Sequence, residues 1–202
     1  MADPYLPIDS REIFSHIRVI VGMILGISLA RLVGGTVSFL QTPRKKDVYL
    51  IHLGWAVFVF LCIIHFWWFE FALVQVRQWT FGLYFVLICY SVVFVMLAVM
   101  LFPDAGVVPG GFREYFNGHG RRFYAIAIGM VFIDTLDTLM KGPAYYRRMY
   151  GLDYAVRQVL LASGAAGGLF IESERYHAVF VSLALLFQIA WIVGLFGVIG
   201  SN

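Results

Sequence analysis

Phe85 to Phe102 reads FVLICYSVVFVMLAVMLF, a run with no charged residue. At 1.5 Å per residue, such a run and a few neighbours cover the roughly 30 Å hydrocarbon core of a bilayer as one helix. Only helices and closed barrels satisfy the backbone in lipid. Barrel strands alternate apolar and polar residues over short segments, whereas this run is apolar throughout. It therefore predicts a transmembrane helix.

Working outward, the same pattern recurs along the chain and predicts spans at about 15–39, 49–75, 79–102, 123–141, 153–171 and 177–199. The expected fold is an all-α polytopic bundle forming a single transmembrane domain over residues 1–202. With 61% hydrophobic and 13% charged residues among 202, little chain is left for a soluble domain. Any function must be built from helices and short connections.

Thr42 to Asp47 links the first two spans, and Gln75 to Gln78 links the next two. The longest connection runs from Phe102-Pro103-Asp104 through Pro109-Gly110-Gly111 to Arg121-Arg122. Within it, Phe112, Tyr115 and Phe116 are interleaved with Arg113 and Glu114, which suits either a short interfacial helix or a polar loop. The fifth span is the most ambiguous. Asp153, Arg157 and Gln158 precede the small-residue run Ala162 to Gly168, so it reads as a buried crossing or a re-entrant segment.

Charge sets orientation weakly. Arg44, Lys45, Lys46, Arg113, Arg121, Arg122 and Arg175 fall on one face, and Arg11, Arg18, Arg77, Lys141, Arg147 and Arg148 on the other. The compact Arg44-Lys45-Lys46 loop favours both termini outside. The N-terminal MADPYLPIDSRE has no basic n-region and no small-residue cleavage site, so no removable signal peptide is expected. An offset of 107 aligns Gly22, Met23, Leu29, Leu32 and Gly35 with Gly129, Met130, Leu136, Leu139 and Gly142. Three helices per unit would make this an inverted three-plus-three repeat.

Gly22, Gly26, Ala30 and Gly34 recur every four residues on the first span. Small residues so spaced let another helix approach closely, within the bundle, between copies in a homo-oligomer, or against a partner membrane subunit.

Ionisable residues at membrane depth are costly and mark functional candidates. Helical rise places Asp134, Asp137, Arg157, His65 and Glu70 in the same half of the membrane. Asp134 and Asp137, three residues apart, share a helix face. Such a cluster suits proton exchange or a cation path. The structural alternative is an Asp137–Arg157 ion pair that joins two helices. Arg31 lies toward the opposite face, as a snorkelling or packing residue or a further path residue. Tyr90 and Gln188, near the midplane, are expected to hydrogen-bond across the bundle.

His16, His52, His65 and His177 allow two bis-histidine haem b sites on topological grounds. No other cofactor is expected. Cys62 and Cys89 lie in apolar runs without metal or redox spacing, and no metal site is expected. The aromatic run His65 to Glu70 reads as an interfacial belt or the wall of an apolar pocket. No HExxH, GxSxG or P-loop pattern is present, which argues against a hydrolase, and nothing resembles a nucleic-acid module.

The segments Ser28-Leu29-Ala30-Arg31-Leu32, His52-Leu53-Gly54-Trp55, Phe66-Trp67-Trp68, Trp79-Thr80-Phe81, Phe102-Pro103-Asp104 and Arg121-Arg122-Phe123 resemble a group of small bacterial multi-span integral membrane proteins. The resemblance covers mainly the first two-thirds of the chain. It implies a multi-pass protein of the bacterial inner membrane, and no activity is known for the group. The residues favour a small ion or proton-coupled membrane channel or transporter with an intramembrane carboxylate cluster. The alternatives are a non-catalytic accessory subunit of a larger membrane complex, and a haem b redox protein.

Overall fold

The computed structural model describes residues 10–41, 48–69, 73, 79–103, 110–142, 146–147 and 151–199. Among them are six long helices and no strand: α1 (Ser10–Gln41), α2 (Leu50–Phe69), α3 (Phe81–Leu101), α4 (Gly111–Met140), α5 (Gly151–Phe170) and α6 (Glu174–Ile199). The helices alternate in direction. The side on which α1, α3 and α5 end is called face A here, and the other side face B.

Five helices are long and apolar enough to cross a membrane. The outer surface matches, with Met23, Phe81, Phe132, Phe170 and Val193 exposed on different helices. In lipid such residues need no burial, so the bundle is held by close packing and hydrogen bonds. The exception is α5, which falls short in apolarity. Its 20 residues give about 30 Å, the length of a crossing, in one uninterrupted helix.

The small-residue run explains α5. A Cβ on Gly164 would meet the Phe180 ring at 2.2 Å, one on Gly167 the Tyr176 hydroxyl at 2.2 Å, and one on Gly168 the Tyr124 ring at 2.7 Å. These glycines form a trough that seats aromatics from α4 and α6. Trp55 of α2 lies at the centre, with its ring 5.1 Å from Phe180 and 5.2 Å from Phe123.

The connection before Arg121-Arg122 departs from expectation. Phe112, Tyr115 and Phe116 belong neither to an interfacial helix nor to a loop. They form the first turns of α4, which begins at Gly111 rather than near residue 123 and runs about 45 Å. Gly110 and Gly111 have φ of 80° and 82°, a turn that glycine adopts without a Cβ penalty. The apolar stripe continues through the charged turns, with Phe116, Gly120, Phe123, Tyr124 and Ala127 all buried. At the start of α3, the Thr80 hydroxyl caps the helix by accepting from the Leu83 amide at 3.2 Å.

The four-residue stripe on α1 divides. Gly22 packs against the Trp67 ring, while a Cβ on Gly26 or Gly34 would meet none of the described residues within 4 Å and Ala30 is exposed. Gly35, outside the stripe, seats Phe102 instead. Under the offset of 107, the counterpart of the close α1–α3 packing would be α4 with α6, but these two meet only through side chains such as Tyr124 and His177, so the packing of the two halves differs. The links 42–47 and 75–78 lie outside the described residues.

Candidate functional site

The polar groups of the bundle converge on Asp134, in the half nearer face B. Asp134 Oδ1 accepts from the Tyr90 hydroxyl of α3 at 2.9 Å. Its Oδ2 accepts from the Tyr154 hydroxyl at 3.0 Å and from Gln158 Nε2 at 2.7 Å, both on α5. The Arg157 guanidinium stands 3.6 Å from the same oxygen.

Arg157 extends the network across the bundle. Its Nη1 donates to Gln158 Oε1 at 3.0 Å, and its Nη2 donates to Gln188 Oε1 of α6 at 2.9 Å. The guanidinium also lies over the Trp191 ring, 5.9 Å from its centroid, a cation–π arrangement. Gln188 Nε2 donates to His65 Nδ1 of α2 at 3.1 Å. One connected path of polar side chains thus joins five helices. A planar guanidinium with five donors can hold several acceptors at fixed angles, which lysine could not do here.

Asp137 faces a different partner. Its Oδ2 accepts from Lys141 at 2.6 Å, one helical turn on, with both side chains buried. The expected Asp137–Arg157 pair is therefore corrected to Asp134–Arg157 and Asp137–Lys141. Three residues turn a helix by about 300°, which leaves the two carboxylates about 60° apart around the axis. Arg157 arrives on the Asp134 side, and Lys141 lies along the Asp137 row. Asp137 Oδ1 has no hydrogen-bond partner among the described residues.

A cavity of about 40 Å³ lies inside this arrangement, bounded by Asp134, Asp137, Lys141, Arg157, Tyr90 and His65 among others. That space holds about two or three waters, and it has the polar partners that ordered water needs.

Asp134, Asp137, Arg157 and His65 are thus brought to one site, with Tyr90 and Gln188 bridging helices. Glu70 lies outside the described residues. Arg31 stands apart, in a groove of about 700 Å³ on the α1–α3 side, with Ala30, Gly34 and Phe102. Lys141, Tyr154, Gln158 and Trp191 complete the site without having been singled out from sequence. The signal for two of them was present: Tyr154, Arg157, Gln158, Leu161, Ala165 and Gly168 follow the spacing of one buried helical stripe.

His16, His52 and His177 do not face one another across an open space. His16 is exposed near the start of α1. His52 Nε2 lies 2.7 Å from the Leu101 carbonyl oxygen. Between His52 and His177 stands the Phe116 ring, 6.3 Å from one and 6.4 Å from the other. The aromatic run after His65 is split, with Phe66 buried against Tyr90 at 4.6 Å while Trp67 and Trp68 are exposed at the end of α2. Cys62 and Cys89 are free thiols.

No family model, curated protein or solved structure matches this chain. The class defined by the fold and the site is a polytopic helical bundle with a charged hydrogen-bond network at membrane depth.

Proposed function

We propose that the protein is a small proton-coupled transporter of the bacterial cytoplasmic membrane, with Asp134 as its proton-carrying group. The observation that carries this reading is one connected polar network spanning five helices, in which side chains of α3 and α5 meet the Asp134 carboxylate of α4 directly, beside a cavity of water-holding size. Two phenols, an amide and a guanidinium address Asp134. When the carboxylate takes a proton, Arg157 keeps Gln158, Gln188 and the Trp191 ring, so its charge is not stranded. Exchanging an ion pair for a proton is the elementary step of coupled transport in membranes.

A carrier fits better than an open channel. Toward face A the site is closed by Phe94, Met130, Leu161 and Ala184, all buried apolar residues. The polar path reaches only halfway, as expected for a site that exchanges with one side at a time.

The test is proton flux in proteoliposomes under a pH gradient with the potential clamped, comparing wild type with Asp134→Asn. Asparagine keeps the shape and much of the hydrogen bonding but cannot carry the proton, so flux should fall to the level of empty liposomes. If wild type itself shows no flux of protons or common ions, the reading fails, and an accessory subunit of a larger membrane complex replaces it.

A further inference from the structure

A second polar site lies at the face A end of the same helices. Tyr124 of α4 and His177 of α6 are buried, and the Tyr124 hydroxyl stands 2.9 Å from His177 Nδ1, with the rings stacked at 5.4 Å. They border a cavity of about 300 Å³, completed on its polar side by Asn117, Arg121 and Glu172. That is space for many waters, directly under the exposed Arg121–Glu172 ion pair.

The two sites lie on one seam. Asp134 and Tyr124 are ten residues apart on α4, about 15 Å, and Gln188 and His177 are eleven apart on α6, about 16 Å. Between these levels stand Trp55, Phe180, Ala165 and Ala184, with the Phe180 ring lodged against Gly164. Each helix thus carries a polar residue at both levels, with an apolar layer between them.

We propose that His177 and Tyr124 form a second proton-exchange site, which passes protons between water at face A and the Asp134 network. The inference rests on the transport reading above. Hydronium in the 300 Å³ cavity gives a proton to the imidazole and leaves water. The imidazolium later returns that proton to water in the opened seam, with no net change at the ring.

Tyr124 accommodates both states without moving a heavy atom. It donates to Nδ1 of the neutral ring and accepts from Nδ1–H of the charged ring. Around the ring, α4 presents Arg121 as well as Tyr124, and α6 presents Tyr176 and Glu174. Arg113 holds Glu174 as Arg121 holds Glu172, so both carboxylates already have cationic partners. Just before and in the first turn of α2, Tyr49 and His52 lie against the Phe116 ring, α5 offers glycines, and the Ile171 carbonyl just past α5 also meets the His177 ring. Of the described residues bordering the cavity, His177 is the one whose ordinary titration range falls between about pH 5 and 8.

The experiment compares wild type, Asp134→Asn, His177→Gln and Tyr124→Phe in oriented proteoliposomes, varying pH on the face A side alone. His177 is also titrated by imidazole NMR in the wild type. Expected are a flux at least ten-fold lower in His177→Gln, retained flux with a displaced face A pH profile in Tyr124→Phe, and a ring that titrates with face A pH. Flux lost in Asp134→Asn but unchanged in a folded His177→Gln overturns this inference alone. A His177→Gln that does not fold leaves Tyr124→Phe and the titration to decide, and an unshifted profile or a ring that does not titrate overturns it. A silent wild type overturns the transport reading, and this inference with it.

Discussion

Asp134 and Asp137 are the same residue type, three positions apart, and their environments separate their roles. Asp134 is addressed by neutral donors and a shared guanidinium at the bundle centre, whereas Asp137 is matched with one lysine near the end of α4. Removing one member of a buried ion pair typically costs about 3–5 kcal/mol, because the other charge is left uncompensated. Arg157→Ala is therefore expected to lower unfolding stability in detergent, by less than that full amount because the Asp134 side chain is 21% exposed. Asp134→Ala combined with Arg157→Ala should recover part of the loss, while Asp137→Ala combined with Arg157→Ala should be additive. A double-mutant cycle measured by thermal or denaturant unfolding checks this, and coupling of Arg157 to Asp137 rather than Asp134 would contradict the observed pairing.

At the scale of the element, α5 is the one of the six described helices without a stretch apolar enough to cross a membrane on composition, yet it lies against α4 and contributes the densest polar set. One half carries Tyr154, Arg157 and Gln158 and the other Gly164, Gly167 and Gly168, so the same buried stripe serves first the site and then the aromatic trough. Gly164→Ala puts a methyl group where the Phe180 ring sits and should destabilise the protein by about 1–3 kcal/mol, the usual cost of overpacking. Gly26→Ala on α1 meets nothing within 4 Å and should be neutral or slightly stabilising, since alanine is the better helix former. Unfolding of the two variants side by side distinguishes a glycine required by close approach from one that is not. A loss at Gly26 as large as at Gly164 would mean that another molecule covers that face of α1.

For the whole molecule, membrane insertion makes the tryptophans unequal reporters. Trp55 is 2% exposed at the bundle centre, whereas Trp67 and Trp68 are 39% and 44% exposed at the end of α2. In vesicles of brominated phospholipid, single-tryptophan variants keeping Trp67 or Trp68 should be strongly quenched and one keeping Trp55 weakly. Equal quenching of all three would contradict the arrangement of α2 in the bundle.

The helical class, the helix order and the grouping of Asp134, Asp137, Arg157 and His65 toward one end of the bundle could be read from the chain, because each depends on apolar run length and on a rise of 1.5 Å per residue. From Phe85 to Phe102 no other structure satisfies the backbone in lipid. The start of α4 escaped that reading, since Arg113, Glu114, Arg121 and Arg122 make its first turns look like a connection. The Phe116–Gly120–Phe123 stripe, buried with Phe116 and Phe123 against His52 and Trp55 of α2, shows why the helix continues through those turns. Pairing was likewise beyond the sequence. Depth placed Arg157 level with both aspartates, but rotation about the helix axes decided that it meets Asp134 and leaves Asp137 to Lys141. Depth follows from counting along one helix, whereas partner choice follows from how neighbouring helices turn toward each other, and only the tertiary structure decides that.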